Sequence, residues 1–233
     1  MTRRSVPSWI GGAAAAALAY FAYVWLMLPD VRPLARANPS TTAFMSLRAR
    51  EARAEGRSVR HVQRWVGYSR ISPSLKRAVL VAEDAAFWGH EGVDYDELQK
   101  SIQDGWLNGG PLRGASTITQ QLAKNLYLSP SRNPVRKVRE LVIARRLEAE
   151  LTKSRIFELY LNVIEWGDGV YGAEAAAQTY FGTSAARLGP SESALLAGAI
   201  INPRLLSPAR PTPRLLRRQQ LILRRMGAVS EPE

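Results

Sequence analysis

The sequence predicts an all-α protein on three observations. Apolar residues recur at three- and four-residue spacings in segment after segment. The breaks between those segments fall where Gly and Pro cluster, and alternating apolar–polar runs of strand length are scarce. At 233 residues the chain has room for one globular domain and a short appendage. It contains no cysteine, so neither a disulfide framework nor a thiolate metal site is available. A net charge of +12 points to a polyanionic partner: nucleic acid, anionic lipid or a phosphorylated substrate.

The appendage comes first. Residues 1–8 include Arg3 and Arg4, and no charge follows from Ser5 to Pro29. Trp9–Leu28 is apolar over about twenty residues, the length a transmembrane helix needs. The flanking arginines favour a cytoplasmic N-terminus and a periplasmic catalytic part held on a single-pass anchor at 9–28. A cleaved leader is the rival, with Ala35-Arg36-Ala37 as its small-x-small site. The apolar run is too long for such a leader, and Pro33 and Arg36 suit the site poorly. An exported basic domain faces away from nucleic acid, which leaves membrane lipid or a phosphorylated substrate.

Residues 29–64 read as a juxtamembrane connector. Pro33 and Pro39 interrupt regular structure, and Phe44–Arg57 reads as a short, charged, solvent-facing helix. The main domain is 65–226, with a tail at 227–233. It opens on an extended piece at Trp65–Tyr68. A helix begins at Ser72-Pro73, where the hydroxyl caps and proline takes the first turn. Its stripe of Leu75, Val79 and Ala82 delivers Glu83 to the helix end. Helical patterns follow at Tyr95–Leu107, Ser116–Leu126, Asn133–Leu151, Ser154–Val163, Tyr171–Phe181, Ser191–Ile200 and Pro213–Met226. On the last of these, Arg217 and Arg218 read as solvent-facing.

Two segments carry chemistry. EDAAFWGHEG, from Glu83, sets two acids beside an aromatic and a histidine. STITQQLAKN, from Ser116, sets Ser116, Thr117, Gln120, Gln121 and Lys124 along one side of a helix, with Ile118, Leu122 and Leu126 opposite. A carboxylate facing hydroxyls, amides and an ammonium suits a sugar or phosphate site. Each residue also has a plainer reading. Asp84 either holds the Glu83 loop or meets substrate, Ser116 either caps its helix or binds sugar, and Arg136 and Glu140 stand four apart as a surface pair would. His90 reads as structural, since a lone histidine makes no metal site. Phe87 and Tyr160 read as packing.

Five segments in order, EDAAFWGHEG (83–92), GASTITQQLAKN (114–125), RKVRE (136–140), KSRIFELYLN (153–162) and GVYGAEAAAQTYFG (169–182), resemble the signature segments of the peptidoglycan glycosyltransferases, family 51. The likeness runs from about residue 65 to 210 and is specific because all five occur together. Ala115 and Phe157-Glu158 depart slightly from the pattern. With no Ser-x-x-Lys or Lys-Thr-Gly motif, the chain resembles the monofunctional members. The resemblance implies a lysozyme-like, two-lobed domain on a transmembrane helix in the inner membrane. The implied activity is that of an inverting enzyme that polymerises lipid II into β-1,4-linked glycan strands and releases undecaprenyl diphosphate. By motif position Glu83 is the general base, and Glu140 is a second catalytic glutamate near the leaving diphosphate. Asp84, Ser116, Thr117, Gln120, Gln121, Lys124, Arg132, Arg136 and Lys137 fall at substrate-binding positions. No cofactor is required by the pattern, although Glu140 could orient a divalent cation such as Mg2+; the metal ligands are unassigned. Implied partners are lipid II, the growing chain, the membrane and cell-wall synthesis or division complexes, and not nucleic acid.

The main alternative is a lysozyme-like hydrolase or lytic transglycosylase, whose glutamate would act as an acid on finished glycan. The basic row from Lys124 to Arg139 opposes it, because a cutting enzyme meets no diphosphate. A non-catalytic scaffold would not need the motif glutamates. An enzyme with a lipid-linked substrate should show apolar surface near the membrane, for which Phe44, Met45, Leu47, Trp65, Trp106 and Leu107 are the candidates.

Overall fold

Side-chain caps set most of the helix starts. Thr42 accepts from the Met45 amide at 3.1 Å and opens α1, Ala43–Ala54. Ser72 accepts from Leu75 at 3.0 Å and, with Pro73, opens α2, Pro73–Glu83. After α3, Tyr95–Asn108, Thr117 accepts from Gln120 at 3.2 Å and opens α4, Ile118–Tyr127. Asn133 caps α5, Pro134–Glu150, and Thr152 caps α6, Lys153–Val163. Then come α7, Ala173–Phe181, and α8, Pro190–Ala199; Thr212 caps α9, Pro213–Arg225. Each cap satisfies an amide that a helix start otherwise leaves without a partner.

This architecture is that of a computed structural model, which describes Gly12 and residues 28–108, 116–130 and 133–228. Nearly all of the expected span at 9–28 lies outside the described residues, as do Arg132 and the tail from 229. Among the described residues no helix is long and apolar enough to cross a membrane. The protein is mostly helical, as expected, but a three-stranded sheet accompanies the helices. Strand β1, Val62–Gln63, runs parallel to β3, Val170–Tyr171, and β2, Glu165–Gly167, pairs antiparallel with β3 in the order β1–β3–β2. Strands of two or three residues are too short to display an alternating pattern. The expected extended piece at 65–68 therefore lies a few residues earlier, and Tyr68–Arg70 is a 3-10 turn. Tyr171 belongs to β3 and not to the helix after it. The β2–β3 turn depends on Gly169 at φ +68°, where a Cβ would come within 2.5 Å of the Arg60 carbonyl.

The helices pack in two groups. α2 lies against α8, which lies against α9; α4 lies against α5, α6 and α1. The core of α4 is Ile118, Leu122 and Leu126, as its spacing predicts, but Thr119, Ala123 and Asn125 are buried as well. From Val31 onward the chain belongs to one compact unit. Arg155 Nε donates to the Leu34 carbonyl at 2.8 Å, and Arg48 Nε donates to Glu165 at 3.0 Å, tying α1 to β2. Thus α1 is a packing helix with Met45 and Ala52 buried, not a solvent-facing one. Its charges misled because arginine stems cover apolar surface while their heads find carboxylates. Of the apolar-surface candidates, Met45 is core and Phe44, Leu47 and Trp65 are half-buried; the side chains of Trp106 and Leu107 are outside the described residues.

Asn162, fully buried on α6, fastens the entry segment to this core. Its Oδ1 accepts from the Val66 amide at 3.0 Å, and its Nδ2 donates to the Val66 and Glu158 carbonyls at 2.9 and 2.8 Å. Asn162→Ala strands a buried amide and carbonyl, so it should destabilise the fold by about 2–4 kcal/mol in denaturant unfolding. A change of less than about 0.5 kcal/mol would contradict this role.

Candidate active site

The end of α2 meets the start of α4 at Glu83 and Asp84. The Gln121 amide Nε2 donates to Glu83 Oε2 at 2.9 Å, and the buried Tyr160 hydroxyl donates to Gln121 Oε1 at 3.0 Å. Burial pushes the Glu83 carboxyl above its ordinary range. The Gln121 hydrogen bond and the charges of Arg218 and Lys124 oppose that push, while Asp84 adds to it. Glu83 is also the last residue of its helix, where the negative end of the macrodipole disfavours a second negative charge. It lines a cleft of about 450 Å3 with Asp84, Asp96, Lys100 and Thr117. Gln121 lines a second cavity of about 240 Å3 with Lys124, Arg48 and Asn202. The Glu83–Gln121 bond therefore joins the linings of the two spaces.

Asp84 is turned inward. Its carboxylate lies 3.0 Å from His90 Nε2 and accepts the Ile118 amide at 2.9 Å, at the first turn of α4. The polar row on α4 also divides. Thr117 donates to the Gly92 carbonyl at 2.7 Å, and Gln120, buried, donates there at 3.2 Å, so both brace the loop after Glu83. Ser116 is exposed and is not the cap. Gln121 and Lys124 are the members of the row that reach the second cavity.

Glu140, also buried, is held by cations. Lys137 Nζ donates to its Oε1 at 2.6 Å, and Arg136 donates to its Oε2. The same ammonium reaches Gln120 Oε1 at 2.9 Å and Ser116 Oγ at 3.3 Å. Lys124 lies in the field of both glutamates. Burial lowers its pKa; Glu140 and Glu83 counter this, while Arg136 and Lys137 reinforce it. Three cations thus surround one buried carboxylate, an excess suited to an anion.

Two residues escaped the sequence reading. Tyr160 was assigned to packing, and no spacing rule reveals where its hydroxyl points. Arg218 was expected to face solvent, yet it is half-buried: its Nε donates to the Gly198 carbonyl at 3.1 Å and its charge acts on Glu83. A signal for Arg218 existed, because it lies three residues after Leu215 and four before Ile222, both buried. Arg217, by contrast, is exposed.

His90 is not isolated either. Asp84, His90 and Asp94 each present one ligand atom, all within 4.8 Å of one another. The trio fits Mg2+ poorly, because that ion prefers oxygen ligands in octahedral array and one carboxylate already serves His90 and Ile118.

Residues 49–227 match the Transglycosylase family. Relatives described as biosynthetic peptidoglycan transglycosylases include one from Dechloromonas aromatica, 49% identical over 195 residues, covering 84% of either chain. One from Methylobacillus flagellatus is 50% identical over 197 residues, covering 84% of this chain and 85% of its own. A third, from Herminiimonas arsenicoxydans, is 49% identical over 195 residues, covering 84% of either chain.

The shifts of Glu83 and Lys124 predict a bell-shaped pH profile. If Glu83 works ionised, activity falls as pH drops through its raised pKa, so the acid limb should lie above the ordinary glutamate value of about 4.3. If Lys124 works charged, activity falls as pH rises through its lowered pKa, so the basic limb should lie below about 10.4. An acid limb at or below about 4.3 would contradict the first assignment, and a basic limb at or above about 10.4 the second.

Proposed function

The chain belongs to the transglycosylase family, and from that premise we propose that it polymerises lipid II into glycan strands at the cell envelope. Glu83 acts as the general base in this reading. The 4-hydroxyl oxygen of one disaccharide attacks C1 of the other, its proton passes to Glu83, and the C1–oxygen bond to the diphosphate breaks with its electron pair leaving on the lipid diphosphate. One in-line displacement inverts C1 and gives the β-1,4 link. The acceptor sugar lies in the Glu83 cleft and the leaving diphosphate beside Lys124, Arg136 and Lys137, with Arg132 assigned there by motif position.

The observation that carries this reading is the pairing of a half-buried, amide-held carboxylate with a cation excess around Glu140. A hydroxyl nucleophile needs a proton acceptor, and a departing diphosphate needs positive charge fixed in advance. An enzyme that cuts finished glycan uses its carboxyl group as an acid and has no use for positive charge fixed for a diphosphate. Glu140 acts by positioning Arg136 and Lys137. The apolar run at 9–28 supports a single-pass anchor with the domain outside the cytoplasmic membrane, and the two helix groups flanking Glu83 support a lysozyme-like, two-lobed arrangement.

Glu83→Gln should abolish polymer formation from labelled lipid II, read by gel, while leaving circular dichroism unchanged. Lys124→Ala should lower the rate by about 10²–10³. An Arg214/Arg217 double alanine variant, both residues being exposed on α9, should retain nearly full activity. Wild-type turnover by Glu83→Gln, or cleavage of uncrosslinked glycan by the wild-type protein, would overturn the reading.

A further inference from the structure

We infer that Tyr160 is a positioning residue for the reaction, acting through Gln121 to fix Glu83 in its ionised, substrate-facing pose. The inference rests on Glu83 being the base.

The hydrogen-bond chemistry leaves one arrangement. Gln121 Oε1 can only accept, so at 3.0 Å the Tyr160 hydroxyl must donate to it. An ionised Glu83 can only accept, so at 2.9 Å Gln121 must present its NH2. A glutamine amide can turn over at little cost, and the reversed amide would set its carbonyl against the carboxylate. Tyr160 disfavours that option, because its buried O–H would then lose the acceptor it has in the Gln121 carbonyl. Its own direction is fixed as well. The ring is fully buried on α6, and burial, with Glu83 and Asp84 nearby, raises the phenol well above its ordinary pKa, so it remains a donor over the working range. The backbone beneath is held too: Asn125 Nδ2 donates to the Gln121 carbonyl at 2.8 Å. The groups facing Glu83 are Gln121 and Lys124 from α4, Arg218 from α9 and the neighbouring Asp84. Of these, Gln121 is the one hydrogen-bonded to the carboxylate, and Tyr160 sets its polarity.

This gives Tyr160 an effect that a packing ring would not have. Phenylalanine keeps the ring and removes only the donor. In Tyr160→Phe the Gln121 carbonyl loses its donor and the amide is held less firmly against Glu83, so Glu83 loses part of its stabilisation as an anion and its pKa rises further. The acid limb of kcat should move to higher pH, and kcat at neutral pH should fall about ten- to a hundredfold, with KM for lipid II within about twofold. Gln121→Leu should move the limb in the same direction and at least as far.

The test is the pH dependence of kcat for wild type, Tyr160→Phe, Gln121→Leu and Glu83→Gln with lipid II as substrate, with thermal unfolding of each. An upward shift of the acid limb in Tyr160→Phe, in protein that unfolds at the wild-type temperature, supports the inference. An inactive Glu83→Gln beside a Tyr160→Phe with unmoved kcat and limb would overturn the inference and leave the base assignment standing. Full turnover by Glu83→Gln would overturn both. If Tyr160→Phe loses stability, an unmoved limb in Gln121→Leu still refutes the relay.

Discussion

A carboxylate kept charged where its surroundings favour neutrality is the constraint on which this site depends. Glu83 ends a helix, is half-buried at the wall of a cleft and has another acid next in sequence, and each of these raises its pKa. The neighbouring groups answer that pressure in part. Gln121 supplies a donor from α4, Lys124 a charge from one turn along, and Arg218 a charge from α9. Because these come from different helices, the packing of α2 against α8 and α9 and of α4 against α5 and α6 is a condition for the chemistry. A base poised above the usual glutamate range is also a better proton acceptor once ionised, so the same burial that opposes the charge makes it useful.

Glu140 shows the opposite balance. It too is buried, but Arg136 and Lys137 bond both of its oxygens, and Lys124 lies nearby. A buried carboxylate satisfied in this way acts as an anchor for cations. Removing it would take from Arg136 and Lys137 the carboxylate they share. The two glutamates are alike in the sequence and differ in surroundings, because one is hydrogen-bonded to an amide and the other to two cations.

Much of the fold was legible. The helix at Ser72-Pro73 begins where its hydroxyl and proline say it should, and the four-residue spacing of Ile118, Leu122 and Leu126 marks the buried side of α4. The small sheet was not legible, because its strands are shorter than any alternation. At the site, Glu83, Gln121, Lys124 and Glu140 emerge from motif and spacing. What spacing could not supply is which polar groups are used internally: Thr117 and Gln120 brace the Gly92 loop, and Asp84 holds His90 and the Ile118 amide. Apart from the Asp84–His90 contact, which spans 6 positions, those uses depend on contacts 25 to 34 positions apart, which local periodicity does not encode. Arg218 is the instructive miss, since its place between Leu215 and Ile222 put it on the inner face, while its charge argued for the outer one.

The proposed reaction requires Glu83 to be a half-buried carboxylate of raised pKa that is ionised at working pH. This requirement is tested most directly by titrating the side-chain carboxyl carbon of Glu83 by 13C NMR in the folded protein. The account predicts a midpoint above the ordinary glutamate value of about 4.3 and below neutral pH. A midpoint at or below that ordinary value, or a carboxyl still protonated at neutral pH, would contradict it.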